Sequence, residues 1–402
     1  MDNSLRFFWG FLTVIILITL HLKVFALPLS FNFDISLAFL LIPFWVFFTF
    51  KIQMFSFKKV ELILFLVFLI PFVTSTINNW GEFFKTYGQF VISYYLVFRI
   101  IRKLPRVDIL TVRRTLFTFQ ILLVLVTLVQ FILVQILEFD ARNIFGDLQL
   151  YYQQEEMRSG IQRMKAFYLE PSYLGFVALN IFWGRYYLSQ SKNIFELNFI
   201  FTLIILVLAK SAFAFLGLSC IVLFELYKKI KRLPIVIGLG FLLMMPLFGY
   251  FFATDLLNIF RLQELNPNSS NLSSGLFRVV LPLNALYQMF QEGYIFGLTF
   301  GQFDQYIVKY MTFQEHSEKS ISNSFLLLVG YFGVLAIFLY GVIFFIFIKS
   351  KNSIIQSFIL LSFINLNNSG AFVTIQYVFV AILIPILIIS IYERNINYYS
   401  ST

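Results

Sequence analysis

"RMKAFYLEPSYLGFVALNIFWG", residues 163–184, decides how the whole chain is read. After Pro171 it has the composition of a membrane helix, yet Arg163, Lys165, Glu170 and Pro171 stand at its mouth. An ionised side chain held deep in a bilayer costs about 3 kcal/mol on insertion scales. Something polar must therefore meet the helix where it begins.

The rest of the chain is equally apolar. Of 402 residues, 59% are hydrophobic and 12% charged, against the roughly 25% charged residues of a soluble domain. Mean hydropathy is +0.84. This composition predicts an all-α polytopic membrane protein, one integral membrane domain over residues 1–402. Apolar windows of the length that crosses about 30 Å of hydrocarbon fall near 5–27, 31–50, 60–79, 84–101, 115–137, 166–188, 194–209, 211–227, 233–252, 321–348, 354–370 and 372–391. They predict about 12 transmembrane helices, or 11 if residues 194–227 form one long helix broken at Lys210. The N-terminal "MDNSLRFFWGFLTVIILITLHLKVFAL" lacks a small-residue cleavage site and reads as a retained first helix.

With the N-terminus in the cytoplasm, 19 of the 30 Lys and Arg residues fall in inside segments, as the positive-inside rule requires. The net charge of +10 is thus topogenic. No basic stretch is interleaved with stacking aromatics in an exposed domain, so nucleic acid is not expected as a partner. Cys220, the one cysteine, lies in an apolar run, which excludes an intrachain disulfide and a cysteine metal site.

Two outside loops are large, 138–165 and 253–320. Connections of this length without strong apolar periodicity are usually functional or disordered. In the second, apolar residues at helical spacing after Ser273 or Ser274 predict an amphipathic helix over about 274–291, with Arg278 in its first turn. "GYIFGLTFGQF" follows, its glycines at 293, 297 and 301 suiting a turn with close backbone approach.

Soluble-enzyme motifs are absent: there is no Walker loop, HExxH, GxSxG or dinucleotide fingerprint. Glu138 and Asp140 in "EFD" have an acidic spacing that some metal-dependent glycosyltransferases use, and equally that of solvated helix-end carboxylates. His21 reads as a packing residue at the outer end of the first span. His316, just before a span on the outer side, is either a general base near neutral pH or a plain loop histidine. Lys210 interrupts a long apolar run and either snorkels to the outer interface or holds an anion there. With Arg163, Lys165 and Arg278 it makes a cationic set at one mouth of the bundle, suited to phosphate or diphosphate. Glu170 either accepts a proton and positions a hydroxyl, or simply pairs with one of those cations.

Taken in order, "RMKAFYLEPSYLG", "AKSAFAF", "SSGLFRVVLPLNAL", "GLTFGQF" and "SISNSFLLLVGYFGVLAIF" resemble the Wzy-type O-antigen polymerase and O-antigen ligase superfamily of bacterial inner-membrane proteins. The resemblance runs from about residue 160 to 345. It implies a GT-C-type glycosyltransferase bundle without cofactor or required metal. Its substrates would be undecaprenyl-diphosphate-linked oligosaccharides, as donor and acceptor, and its active site would face the periplasm; the placement of the basic residues puts both termini in the cytoplasm. Besides the lipid bilayer, a chain-length regulator is a candidate protein partner, on which the sequence does not decide. The family's arginine, its glutamate and its second arginine carry over onto Arg163, Glu170 and Arg278; at its basic-serine position Lys210 and Ser211 stand in reversed order. Ligases resemble one another in a His-Asn pair followed at fixed spacing by Gly; here Ser322 replaces that histidine before Asn323 and Gly333, which favours a polymerase. A lipid-linked saccharide transporter would also need cations, but it would be expected to show internal repeats and charges near mid-membrane.

Overall fold

A computed structural model describes residues 2–27, 33–51, 80–101, 103–138, 157–158, 161–189, 193–229, 281–298, 300, 302–303, 306, 323–368 and 372–400. The chain divides into two compact units: residues 1–56, 94–231 and 375–402 form the first, and 57–93 with 232–374 the second.

The first unit opens with α1 (Asn3–Ile18), a hairpin of β1 (Lys23–Leu27) and β2 (Phe33–Ser36), and α2 (Leu37–Phe50). The predicted first span of 5–27 is therefore a shorter helix followed by a strand. Two reciprocal hydrogen bonds hold α1 against α2. The Trp9 indole donates to Thr49 Oγ1 and the Trp45 indole to Thr13 Oγ1, both at 2.8 Å. Each threonine hydroxyl in turn donates to the carbonyl four residues back, Thr13 to Trp9 and Thr49 to Trp45. All four polar atoms are satisfied without water, as a buried interface requires.

Helix α3 (Trp80–Ile100) runs from the second unit into the first. Helix α4 (Ile109–Phe131) is started by Asp108, whose carboxylate accepts from Thr111 N at 2.7 Å, and it ends in a π-helical turn, Ile132–Ile136. A two-residue hairpin, β3 (Met157–Arg158) with β4 (Ile161–Gln162), precedes the segment quoted first. Helix α5 (Pro171–Leu188) begins with proline at its first position, where the missing N–H costs nothing. It is buried on nearly every side, which its unpatterned apolar sequence requires.

Helices α6 (Leu197–Ala209) and α7 (Ala212–Lys229) are separate elements. Lys210 divides them in a left-handed conformation, φ 46° and ψ 46°, so the two-helix alternative for residues 194–227 holds. Helix α12 closes the unit as three consecutive pieces, Ile375–Val378, a π-helical turn Phe379–Leu383, and Ile384–Ser400.

The side-chain contacts fix the two ends of this unit. Arg6 meets Asp108, and Arg394 donates to the carbonyls of Pro105 and Val107, at one end. At the other, Leu17, Gln130 and Leu208 all bond to the 163–168 segment.

In the second unit, α8 (Leu281–Gln291) buries Ala285, Leu286 and Met289 while leaving Leu283 and Tyr287 exposed. It occupies the later part of the amphipathic helix expected over 274–291; residues 274–280 lie outside the described residues. The single span expected over 321–348 is corrected to two helices, α9 (Ser324–Phe332) and α10 (Val334–Lys349). Gly333 breaks it at φ 53° and ψ −129°, a conformation that L side chains avoid. A Cβ there would lie 2.0 Å from the Ile295 carbonyl oxygen, and one on Gly297 would lie 2.7 Å from the Gly333 nitrogen. The glycine-bearing turn and the helix break thus fit against each other through bare backbone. Helix α11 (Ser353–Asn368) completes the unit.

Among the described residues, Ile109–Ile136 and Ile375–Arg394 are long and apolar enough to cross a bilayer, and five further helices are apolar but shorter. Helix α10 exposes Ile337, Phe338, Leu339, Phe344, Phe345 and Ile348. A helix with so little buried apolar surface needs hydrocarbon as its solvent. The protein is a helical membrane protein. The spans expected at 60–79 and 233–252 lie outside the described residues.

Candidate functional site

The polar mouth of α5 is a folded-back strap, residues 163–170, rather than the first turns of a helix that the window 166–188 implied. Its first residues satisfy the end of α6. Arg163 Nε donates to the Ala209 carbonyl at 3.1 Å, and Met164 N to that of Leu208 at 3.1 Å. The last carbonyls of a helix have no partner within the helix, so these two bonds are the local reason for the arginine's position. They also bring Arg163 to the residue before Lys210.

The middle of the strap is gripped from α4. Gln130 Oε1 accepts from Lys165 N at 2.9 Å and from Ala166 N at 2.8 Å. Ala166 sits at φ 49°, a strained value for a residue with a Cβ, and the double hydrogen bond stabilises the turn that needs it. Lys165, Gln130 and Lys210 are all buried, the two lysines at 3% and 6% exposure. Behind the strap the Tyr168 hydroxyl donates to the Leu17 carbonyl at 3.2 Å.

Glu170 ends the strap at the N-cap position of α5 and is exposed. Its carboxylate does not cap the helix; it accepts from Ser172 Oγ at 2.8 Å. Among the described residues Glu170 makes no ion pair; Arg278, one of the cations it could pair with, lies outside them. Gly175, one turn further, lets α7 close in: a Cβ there would lie 2.7 Å from Ala214 Cβ and 2.8 Å from Ser211 Oγ. That approach places the α6–α7 corner, with Lys210 and Ser211, beside the first turns of α5.

Two further side chains belong to this end of the unit. His21, in the turn after α1, is buried edge-on to Tyr173, with ring centroids 4.2 Å apart, and to Tyr168 at 5.8 Å. Its Nδ1 has no hydrogen-bond partner among the described residues. It is a packing residue, as expected, but one in the site's floor. Gln130 went unnoticed in the sequence; the only signal was an amide inside an otherwise apolar span, where polar side chains are costly and usually employed.

The structure thus brings Arg163, Lys165, Lys210 and Glu170 to one end of the first unit. Arg278 and His316 lie outside the described residues and belong by sequence to the second unit. Asp140 and Ser322 are likewise outside them, whereas Asn323 caps α9 by accepting from Leu326 N at 3.2 Å. Among the described residues no three His, Cys, Asp or Glu side chains gather as metal ligands would.

Chemically, the arrangement offers cations held in place by packing, at the end of the unit where the strap closes on an exposed carboxylate with no ion pair among the described residues. Such an arrangement suits an anionic group, with a carboxylate at the same end able to accept a proton. No curated protein matches the chain. A model of the WcaD colanic acid polymerase family matches residues 9–390. That match bears out the resemblance to Wzy-type polysaccharide polymerases, and the chain belongs to the WcaD colanic acid polymerase family.

Proposed function

We propose that this protein polymerises undecaprenyl-diphosphate-linked oligosaccharide repeat units by glycosyl transfer at the periplasmic face of the bacterial inner membrane. The match over residues 9–390 is the observation that carries the proposal. In support, Arg6, Lys51, Lys103, Arg106, Arg113, Arg114 and Arg394 lie towards one end of the first unit, and the strap lies at the other. By the positive-inside rule the first end is cytoplasmic, with both chain termini, and the strap faces the periplasm.

The donor is the growing chain on its lipid diphosphate, and the acceptor is a single lipid-linked repeat unit. A sugar hydroxyl of the acceptor attacks the donor's anomeric carbon. The new glycosidic C–O bond forms as the bond to the diphosphate oxygen breaks, and the electron pair leaves with the diphosphate. Arg163, Lys165 and Lys210, with Arg278 from the second outer loop, stabilise the charge that develops there, acting as preorganised electrostatic groups. Glu170 takes the hydroxyl proton, with His316 as the other candidate base. Inversion at the anomeric carbon, a GT-C-type bundle, independence from metal and docking of a chain-length regulator complete the proposal.

The test is reconstitution of purified protein with lipid-diphosphate repeat units and separation of the products by gel. A ladder of products is expected from the wild type, and Arg278→Ala should abolish it. Absence of a ladder with cognate substrate would overturn the assignment.

A further inference from the structure

At the basic end of the first unit, α1, α2 and the turn before α4 enclose an open cleft of about 400 Å³, lined by Leu5, Phe8, Trp9, Phe48 and Arg106. The indole nitrogen of Trp9 is already engaged by Thr49, so the helices present only hydrocarbon and aromatic carbon to the cleft. Arg106 supplies the sole charge in its lining.

Among the described residues that charge has no counterion. The backbone of Arg106 is pinned, its N–H donating to the Thr49 carbonyl at 2.9 Å. Asp108, the nearby carboxylate, is taken by Arg6 at 3.0 Å and by Thr111 N. Arg394 spends its guanidinium on the Pro105 and Val107 carbonyls. Among the described residues the Arg106 side chain makes no hydrogen bond or ion pair, and it is exposed, as are Lys51 and Lys103. The helices beside the cleft leave Phe7, Phe11, Phe44 and Phe47 exposed, so its surroundings are apolar.

We propose that this cleft binds an anionic phospholipid, its phosphate on Arg106 and one acyl chain along Leu5, Phe8, Trp9 and Phe48. An unpaired guanidinium at the rim of an apolar trough is complementary to a molecule that carries an anion and hydrocarbon together. A free anion uses only the first feature. A zwitterionic lipid brings a cation into a field already positive from Arg106, Lys51 and Lys103. Basic pockets between membrane helices hold acidic headgroups for the same reason. The site is at the opposite end of the unit from the strap and stands whether or not the proposed polymerase activity does.

Native mass spectrometry of the detergent-purified full chain, with phosphatidylglycerol or phosphatidylcholine added, tests the proposal. Wild type is expected to retain phosphatidylglycerol in preference. Arg106→Gln should lower that retention about fivefold, the usual effect of one basic residue near an acidic lipid, and leave phosphatidylcholine unchanged. Leu5→Trp, which fills the cleft, should lower it as well. Arg114→Gln, an exposed arginine at the same end but outside the cleft, should have no effect, and thermal unfolding should be unaltered in all three. Equal retention of the two lipids, equal loss from Arg114→Gln, full retention in Arg106→Gln or Leu5→Trp, or displacement by excess inorganic phosphate would each overturn it.

Discussion

Two side chains decide whether the strap is a site. Glu170 is exposed, bonded only to the Ser172 hydroxyl, and free of any ion pair among the described residues. Glu170→Gln keeps its size and its hydrogen bond to Ser172 but removes the proton acceptor. In the ladder assay it should slow chain extension by about 100-fold or more, the usual contribution of a general base, with unfolding temperature unchanged; full activity would pass the base's role to His316. Gln130 acts differently, because its side-chain oxygen accepts from the backbone of the strap. Gln130→Ala strands two buried N–H groups, those of Lys165 and Ala166, each at a cost of about 1–3 kcal/mol. It should lower both activity and the unfolding midpoint, and Gln130→Glu, which restores the accepting oxygen, should recover part of each. Arg163, Lys165, Lys210 and Glu170 stood out in the sequence as candidates because charge at the mouth of an apolar run is conspicuous. Gln130 was not, since a lone amide leaves no periodic signal and its two partners lie 35 and 36 residues away.

Among elements, hydropathy located α4, α5 and the α6–α7 break because the length of an apolar run and the charge that ends it are written in composition. It missed the break at Gly333, because apolar residues continue on both sides and a backbone angle leaves no trace in hydropathy. It also extended α5 back to residue 166, where a helix would have left the Leu208 and Ala209 carbonyls without the donors the strap provides. The α9–α10 break is sterically demanding. Gly333→Ala puts a methyl group 2.0 Å from the Ile295 oxygen at a φ unsuited to it, and should abolish accumulation of folded protein in the membrane, whereas Gly341→Ala, with open space around it, should be silent. At the start of α4, Asp108 is both cap and ion-pair partner. Burial pushes its carboxyl pKa up, but the Thr111 hydrogen bonds and the Arg6 charge outweigh burial and hold it below the ordinary value. The folded carboxyl therefore binds fewer protons than the unfolded one, and its contribution is complete above the unfolded pKa of about 3.9. Thermal unfolding in detergent should lose stability as pH falls below that point and through the folded value, and Asp108→Asn should flatten the loss.

For the molecule as a whole, the described helices divide into two units, and the candidate residues divide with them: the strap and Lys210 in one, Arg278 and His316 in the other. Within the first unit the lipid cleft and the strap stand at opposite ends of α1, so each is open to test without disturbing the other. Gln130 links the strap to the bilayer itself. Helix α4 with its π-helical turn has 28 residues, about 42 Å at 1.5 Å per residue, which exceeds a hydrocarbon layer of about 30 Å and is accommodated by tilting or by thickening the bilayer around it. Gln130, near the far end of that helix, holds the strap together with α1 and α6, so a shift of these helices with membrane thickness would carry the strap's cations with it. Chain extension in vesicles of graded acyl length should accordingly pass through a maximum at one thickness, and Gln130→Ala should flatten that optimum as well as lower it. The protein would then behave as a gauge of its own bilayer, turning over fastest where the membrane holds the substrate headgroup level with the strap.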